Sequence, residues 1–439
     1  MTKCKSLFEL NQRVKGRKVT LDFAGGNISS DGGLLLISEL DRKINLTSEV
    51  SKSLLPFDKR QKSKVKHKVI EMIRQRVYGI ISGNEDLNDH DHLKDDELFQ
   101  SIACKDKALA TSSTLSRFEN SAVRQGCVVI SKVIVESFIK TFSSAPKELI
   151  LDFDATDDEV HGNQEGRFFH GYYDYYCFLP LYVFCGQKLL CSYLRPANID
   201  GARHSWAILS LLVKRFRQEW PNVKIIFRRD SGFCRWKMLN WCEKTNVDYI
   251  VGVPSNKKLV KMTSRIAVKS RKKFNRLGKK AKLYTNIYYA AKTWNKRRKV
   301  IVKAEYTEMG SNLRYVVTSL KDKPKYLYEK IYCARGDMEN RIKEQQLGLF
   351  ADRTSCHGWW ANQFRLLLAS LAYILIEQLR NFVLKGTKFA KAQVETIRLK
   401  LIKIGGVIRR NSRKVYISLS SSYPYRSIFS LAMKKLQLE

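Results

Sequence analysis

Up to about residue 145 the apolar residues of this chain recur at three- and four-residue spacing, and from residue 148 the period drops to two. "KVKHKVIEMIRQRVYGIISG" and "SSTLSRFENSAVRQGCVVISKVIVESFIKTF" carry the first pattern and "ELILDFDAT" the second, so a helical region gives way to a sheet. Beyond that point the order is three strands ("ELILDFDAT", "YYCFLPLYVFC", "KLLCSYLRPA"), a helix over 202–219 capped by Asp200, the strand "VKIIF", a helix to about 245 and the strand "DYIVGVP". A three-strand meander followed by alternation predicts an α/β fold with a mixed sheet and helices on its faces. On the first of those helices Trp206, Leu209, Leu212, Val213, Phe216 and Trp220 share one side, the expected core side.

With 439 residues and no visible repeat, two or three domains are expected. Composition divides the chain into a mainly helical region over 1–145, whose short Arg-bearing helices, such as the one opening at Ser113, would suit a DNA major groove as well as a bundle surface, an α/β core over 146–254, a basic strand-rich insertion over 255–322, the remainder of the core over 323–390 and a basic C-terminal tail region over 391–439. In the insertion Lys and Arg alternate with Phe274, Tyr284 and Trp294, a pattern suited to a sheet with one phosphate-facing side. The apolar run Leu366 to Ile376, "LLLASLAYILI", is too short to span a bilayer and reads as a buried helix, so no membrane partner is expected.

Lys and Arg number 80 against 42 Asp and Glu, a formal charge of +38. Self-repulsion of that size points to a polyanionic partner, most simply double-stranded DNA. The N-terminal stretch has no apolar h-region, which makes a cytoplasmic, nucleoid-associated location the expectation. Ten cysteines, Cys4 among them, form no C-x-x-C pair and are expected to be reduced. His90 and His92 are a candidate metal pair, but on so polar a stretch they read as solvated.

Against that basic background "LDFDATDDEVHG" is conspicuously acidic. A calcium loop starting at Asp152 would need Gly at its sixth position and Glu at its twelfth; Asp157 and Asn163 stand there. D-x-D-x-T after a strand also suits a haloacid-dehalogenase-type phosphatase with Asp152 as nucleophile, although the later acidic pair of such an enzyme is missing. The remaining reading makes Asp154 one ligand of a metal pair, with Asp230 arriving at the end of the "KIIF" strand. Asp152 faces the same side of its strand as Asp154. In "YCARGDMENRIKEQ", Tyr332, Arg335, Glu339 and Lys343 recur at i, i+3, i+7 and i+11, which places an aromatic ring, two cations and a third acid on one helical face.

The stretches "GGLLLISELD", "RQRVYGIISGNEDLNDHD", "STLSRFEN", "LDFDATDDEVHGNQEGRFFHGYYDYYCFLPLYVFCG", "FRRDSGFCR" and "DRTSCHGWWANQFR" run over most of the chain. By these motifs it resembles the DDE transposases of bacterial insertion sequences, in particular the transposase DDE domain group 1, often called the thirteen-eighty group. The resemblance implies a ribonuclease H-like mixed-sheet core interrupted by a β-rich insertion. It implies Asp154, Asp230 and Glu339 as catalytic residues and metal ligands, with Asp152 the second choice for the first and Asp337 the reserve for the last. Tyr332 and Arg335 keep the spacing of the signature around the last acid in related enzymes. Lys343 lies one turn on rather than two, and Gln346 takes the usual lysine position. DNA contacts are expected from Tyr332, Arg335, Lys343, Arg229, Lys272, Lys273, Arg297 and Arg298, with Trp294 stacking on an unpaired base. The implied cofactor is Mg²⁺, two ions with Mn²⁺ as a possible substitute, and the implied assembly is a homodimer on DNA. The alternative function is a DNA-binding protein whose nuclease core is inactive.

Overall fold

From residue 148 onward the two-residue period is realised as one eight-stranded mixed sheet in a computed structural model that describes residues 8–438. Cys4 lies outside the described residues. The strands are β1 (Glu148–Ala155), β2 (Leu181–Cys185), β3 (Lys188–Tyr193), β4 (Lys224–Arg229), β5 (Asp248–Val253), β6 (Ala281–Tyr289), β7 (Arg298–Thr307) and β8 (Gly310–Thr318). Their spatial order is β6-β7-β8-β5-β4-β1-β2-β3. β4 runs parallel to both β1 and β5, while the β1–β2–β3 meander and the β5–β8 pairing are antiparallel. Helix α1 (Ser205–Glu219) connects β3 to β4, and α2 (Trp236–Lys244) connects β4 to β5.

β4 is buried on both faces after its first residue, which is why "KIIF" reads as an unbroken apolar run. On one face Leu149, Leu151, Phe153, Ile225, Phe227 and Val251 pack with Leu209, Leu212, Phe216 and Leu239 of α1 and α2. On the other, Ile226 and Ile250 pack with Ile301, Val316, Leu327 and Tyr328. The alternation that separates these two layers also decides which polar side chains reach which side of the sheet.

Several expectations need correction. Helix α1 starts at Ser205, because Asp200 caps the turn before it, accepting from the Ala202 amide at 2.8 Å. "YYCFLPLYVFC" breaks at Leu179–Pro180: Tyr175–Phe178 belongs to a separate three-stranded sheet and only Leu181–Cys185 joins the main one. A proline offers no ladder donor, so a break there is the natural outcome. Residues 257–277 are helical (Lys257–Met262 and Ser264–Leu277) rather than strand-rich, with Ile266, Ser270 and Phe274 at four-residue spacing turned inward and the cations outward. β6, β7 and β8 extend the main sheet through β5.

By internal contacts the chain separates into two units: 123–347 with 351–370, which holds the sheet, and 1–122 with 348–350 and 371–439. The second unit contains a hairpin (Phe8–Val14 with Arg17–Leu21) and the helices Leu34–Ile44, Leu46–Leu54 and Val69–Ser82. Residues 391–438 are not a loose tail: Gly406–Arg410 pairs with Val415–Leu419 and with Ile28–Ser29, and a helix spans Arg426–Gln437. The double glycine of "SDGGLLL" permits this closure. Gly32 and Gly33 donate to the carbonyls of Ile404 and Ile402 at 2.8 and 3.0 Å, and a Cβ on Gly33 would lie 1.7 Å from the Leu401 oxygen.

His90 and His92 do not form a metal pair. His90 is buried and contacts Arg76 at 2.9 Å and Gln75 at 3.3 Å, whereas His92 is exposed. Burial, reinforced by the Arg76 charge, holds His90 well below the ordinary histidine range. The helical segment Trp359–Val383 is long and apolar enough to cross a membrane, yet 83% of its apolar window is buried inside the protein, as in a core helix.

Candidate active site

The parallel pairing of β1 and β4 sets Asp152 opposite Arg228, and continuing that register by two residues brings Asp154 alongside Asp230. Both aspartates stand at the carboxyl ends of central parallel strands, where open α/β sheets place their sites. Asp154 is mostly buried and its Oδ1 accepts from the Ala155 amide at 3.0 Å. Asp230 begins the loop after β4 and accepts from the Gly232 amide at 3.1 Å. Burial first, then repulsion from Asp230, pushes the Asp154 carboxyl up to about 6, against the counteracting charges of Arg229 and Arg335.

Arg335 and Tyr332 come from the helical segment after β8. That segment is irregular: a wide π-type turn over Leu327–Tyr332, a tight turn over Cys333–Gly336, regular α3 (Asp337–Lys343) and a second wide turn over Glu344–Gly348. Arg335 lies over Tyr332, with its guanidinium carbon 5.6 Å from the Tyr332 ring centre, and feels the charges of both aspartates. The Tyr332 hydroxyl stands over Gly252 of β5, where a Cβ would meet it at 2.6 Å and the Ser231 amide nitrogen at 2.7 Å. Gly252 was missed by the sequence reading, although a glycine inside the strand "DYIVGVP" is itself a signal of close backbone approach. Gly252→Ala is expected to lower stability by about 1–3 kcal/mol through overpacking, read as a reduced urea midpoint; an unchanged midpoint would mean the loop after β4 yields freely.

Asp152, the second choice as ligand and the nucleophile of the phosphatase reading, is only 1% exposed. Arg228 grips it with both ends of its guanidinium, Nε to Oδ1 at 2.5 Å and Nη2 to Oδ2 at 2.7 Å, and sends Nη1 to the Ile331 carbonyl at 2.5 Å. A carboxylate so held is free neither for a cation nor for attack on a phosphate ester. Its service is structural: Asp152 and Arg228 clamp the Tyr332 segment onto the strands.

Glu339 is exposed on α3, which packs against β1. Asp337 is exposed too, 3.9 Å from Arg341. Among the described residues no three His, Cys, Asp or Glu side chains converge as a ready-made cation site, so the structure brings together two of the three predicted acids. Hard oxygen donors, two carboxylates held side by side and a raised Asp154 pKa do fit a divalent cation, whose charge would relieve the repulsion between them. Lys343 is exposed at the end of α3, and Gln346 donates to the Asp157 carbonyl at 2.8 Å and the Asp158 carboxylate at 2.9 Å, fixing the loop after Asp154.

The predicted DNA contacts divide by burial. Lys272 and Arg297 are exposed and Lys273 is half-buried on its helix. Arg229 and Arg298 cannot reach a phosphate as placed. Arg229 is 1% exposed and donates to the Phe153 carbonyl and the Ser205 hydroxyl, and Arg298 is ion-paired with Glu243 at 2.7 Å. Trp294 packs edge-on against Tyr289 beneath Arg298, at the margin of the core, so its ring is not offered to a base.

The profile of the family described as transposase DDE domain group 1 matches residues 11–439. No curated protein matches the chain. Among solved structures, a cryo-EM structure of a piggyBac transposase synaptic complex with hairpin DNA aligns over 93% of this chain and 82% of its own, at 13% identity and a TM-score of 0.43.

Proposed function

Because the chain belongs to the transposase DDE domain group 1 family, we propose that it is a DNA transposase that binds the terminal inverted repeats of an insertion sequence, cuts at the element ends and joins them to target DNA. The observation that carries this reading is the Asp154–Asp230 pair at the ends of two adjacent parallel strands. The strand order β3-β2-β1-β4-β5, a meander of three followed by two parallel strands with helices between, supports a ribonuclease H-like core. In it Asp154 and Asp230 hold the divalent cations, with Glu339, one turn beyond Arg335, as the third acid.

The proposed cofactor is a pair of Mg²⁺ ions, replaceable by Mn²⁺, which when bound activates water and neutralises charge on the phosphoryl oxygens. The chain's own residues do the positioning. Arg335, steadied by Tyr332, faces both aspartates and supplies a guanidinium where a scissile phosphate would sit. Arg229, buried below, keeps Asp154 from rising further. Exposed cations such as Lys272, Arg297 and Lys343 would neutralise flanking phosphates, with affinity falling steeply as salt is raised. Joining two element ends calls for a homodimer on DNA, working at the nucleoid in the cytoplasm.

The test is divalent-dependent nicking of a plasmid carrying the terminal sequences of the encoding element. Asp230→Ala and Glu339→Ala are each expected to lower the nicking rate by about a thousandfold or more, while gel-shift affinity for end DNA changes little. Full nicking by Asp230→Ala would sink the assignment. Nicking absent from the unaltered chain despite end binding would favour an inactive nuclease core.

A further inference from the structure

The helical segment that bears Tyr332, Arg335 and Glu339 is fastened at two places to the stretch that holds Asp154. At its start the Ile331 carbonyl accepts from Arg228, whose guanidinium grips Asp152. At its end the Gln346 carboxamide donates to the Asp157 carbonyl at 2.8 Å and to the Asp158 carboxyl at 2.9 Å. Asp152 and Asp158 flank Asp154 in the chain, so both fastenings converge on β1 and its exit. Each falls within one of the two wide turns, Leu327–Tyr332 and Glu344–Gly348, and α3, which carries Glu339, lies between them. Wide turns of this kind shift the residues that follow out of ordinary helical register and are frequent at functional sites.

The second fastening is built differently from the first. Asp158 is 1% exposed, and the charges it feels are those of Asp352 and Asp157, both acidic. Burial, opposed by the Gln346 hydrogen bond and reinforced by the two acids, holds its carboxyl well above the usual carboxylate range, so folding favours its uncharged form. An uncharged carboxyl accepts a hydrogen bond from a carboxamide much as an amide oxygen would. Nε2 of Gln346 has two hydrogens, and both are directed into the protein, one to each residue of the Asp157–Asp158 pair. Position 346, where the signature has lysine, therefore keeps no donor for a DNA phosphate.

We propose that Gln346 and Asp158 are positioning residues for Glu339, bracing the far end of its helical segment against the exit of β1 so that the third acid can meet Asp154 and Asp230. With both ends of the segment held to one strand, Glu339 approaches the pair by movement of α3 alone. The brace rests on the transposase reading above, and it gives position 346 an inward role in place of a contact with DNA.

Nicking kinetics on end-containing DNA, together with equilibrium Mn²⁺ binding read from the electron paramagnetic resonance of the free ion, test it on the full chain. Gln346→Ala is expected to lower kcat and to weaken Mn²⁺ binding by about tenfold or more each, the usual effect of removing a group that orients a ligand, while KM for DNA stays within about twofold. Asp158→Ala should do the same, and Asp158→Asn, which keeps an uncharged oxygen facing Gln346, should hold kcat within about threefold of the unaltered chain. In a Glu339→Ala background, Gln346→Ala should leave Mn²⁺ affinity unchanged, because its effect passes through Glu339. Gln346→Ala, at a half-buried position, decides the matter even where Asp158→Ala does not fold. An unchanged kcat in Gln346→Ala overturns the brace, and a raised KM alongside it makes the residue a DNA contact. The brace also falls if Asp158→Asn is as impaired as Asp158→Ala, or if Gln346→Ala weakens Mn²⁺ binding as much without Glu339 as with it. Each of these results leaves the transposase reading standing, whereas an unaltered chain that neither nicks DNA nor binds Mn²⁺ overturns both.

Discussion

Asparagine in place of Asp154 is expected to make the protein more stable and inactive at once. The Asp154 carboxyl is pushed from its ordinary 3.8 up to about 6 in the folded chain, so folding favours its neutral form. The sign follows: the charged form costs nothing below about pH 4, costs progressively more as pH rises towards 6, and costs its full amount above that. Two pKa units correspond to about 3 kcal/mol, an upper bound for a side chain that keeps some contact with solvent. In chelator at pH 7.5, Asp154→Asn should therefore raise the unfolding free energy by about 1–3 kcal/mol, read as a higher urea midpoint, and the gain should disappear near pH 4. Mn²⁺ affinity and DNA nicking should both collapse in the same variant, the latter by about a thousandfold. In the unaltered chain, protons compete with the cation, so Mn²⁺ affinity should decline as pH falls through 6. An Asn variant that is no more stable at pH 7.5 than at pH 4, or that still nicks DNA, would remove Asp154 from the proposed role.

The second large effect concerns the neighbouring acid. Arg228→Met leaves Asp152 buried without its partner, and stranding one charge of a buried pair costs about 3–5 kcal/mol. The double variant Asp152→Asn, Arg228→Met should recover a large part of that loss, because no buried charge remains uncompensated. Nicking should still fall in the double variant, since the Ile331 carbonyl loses its donor and the Tyr332–Arg335 segment its anchor. Chemical denaturation and nicking rates separate the two consequences. A loss below about 1 kcal/mol in Arg228→Met would mean that Asp152 is neutralised in some other way.

The contrast between these two aspartates shows where sequence reading stops. A period of two places Asp152 and Asp154 on one face of β1, as the structure has them, but it is silent about the strand alongside. Arg228 arrives from 76 residues further on and claims Asp152, leaving Asp154 for Asp230. Arg229 and Arg298 are buried and paired for the same reason: composition counts a cation, while burial and pairing depend on residues distant in the chain. The helix Ser264–Leu277 is hard to read locally because its apolar positions are few, and the cations between Ile266, Ser270 and Phe274 obscure their four-residue spacing. What could be read locally, the meander, the alternation after it and the acids at strand ends, depended on periodicity alone.

The seam at Gly32 and Gly33 also has a bearing on synthesis. Residues 1–122 share a folding unit with 371–439, and their backbone contacts at 402 and 404 exist only after most of the polymer has left the ribosome. The sheet-bearing unit, encoded between those segments, has its partners earlier and can organise while translation continues. Premature termination near residue 400 should therefore yield a chain whose leading helices lack their closing strands, prone to aggregation and proteolysis, rather than a shortened enzyme.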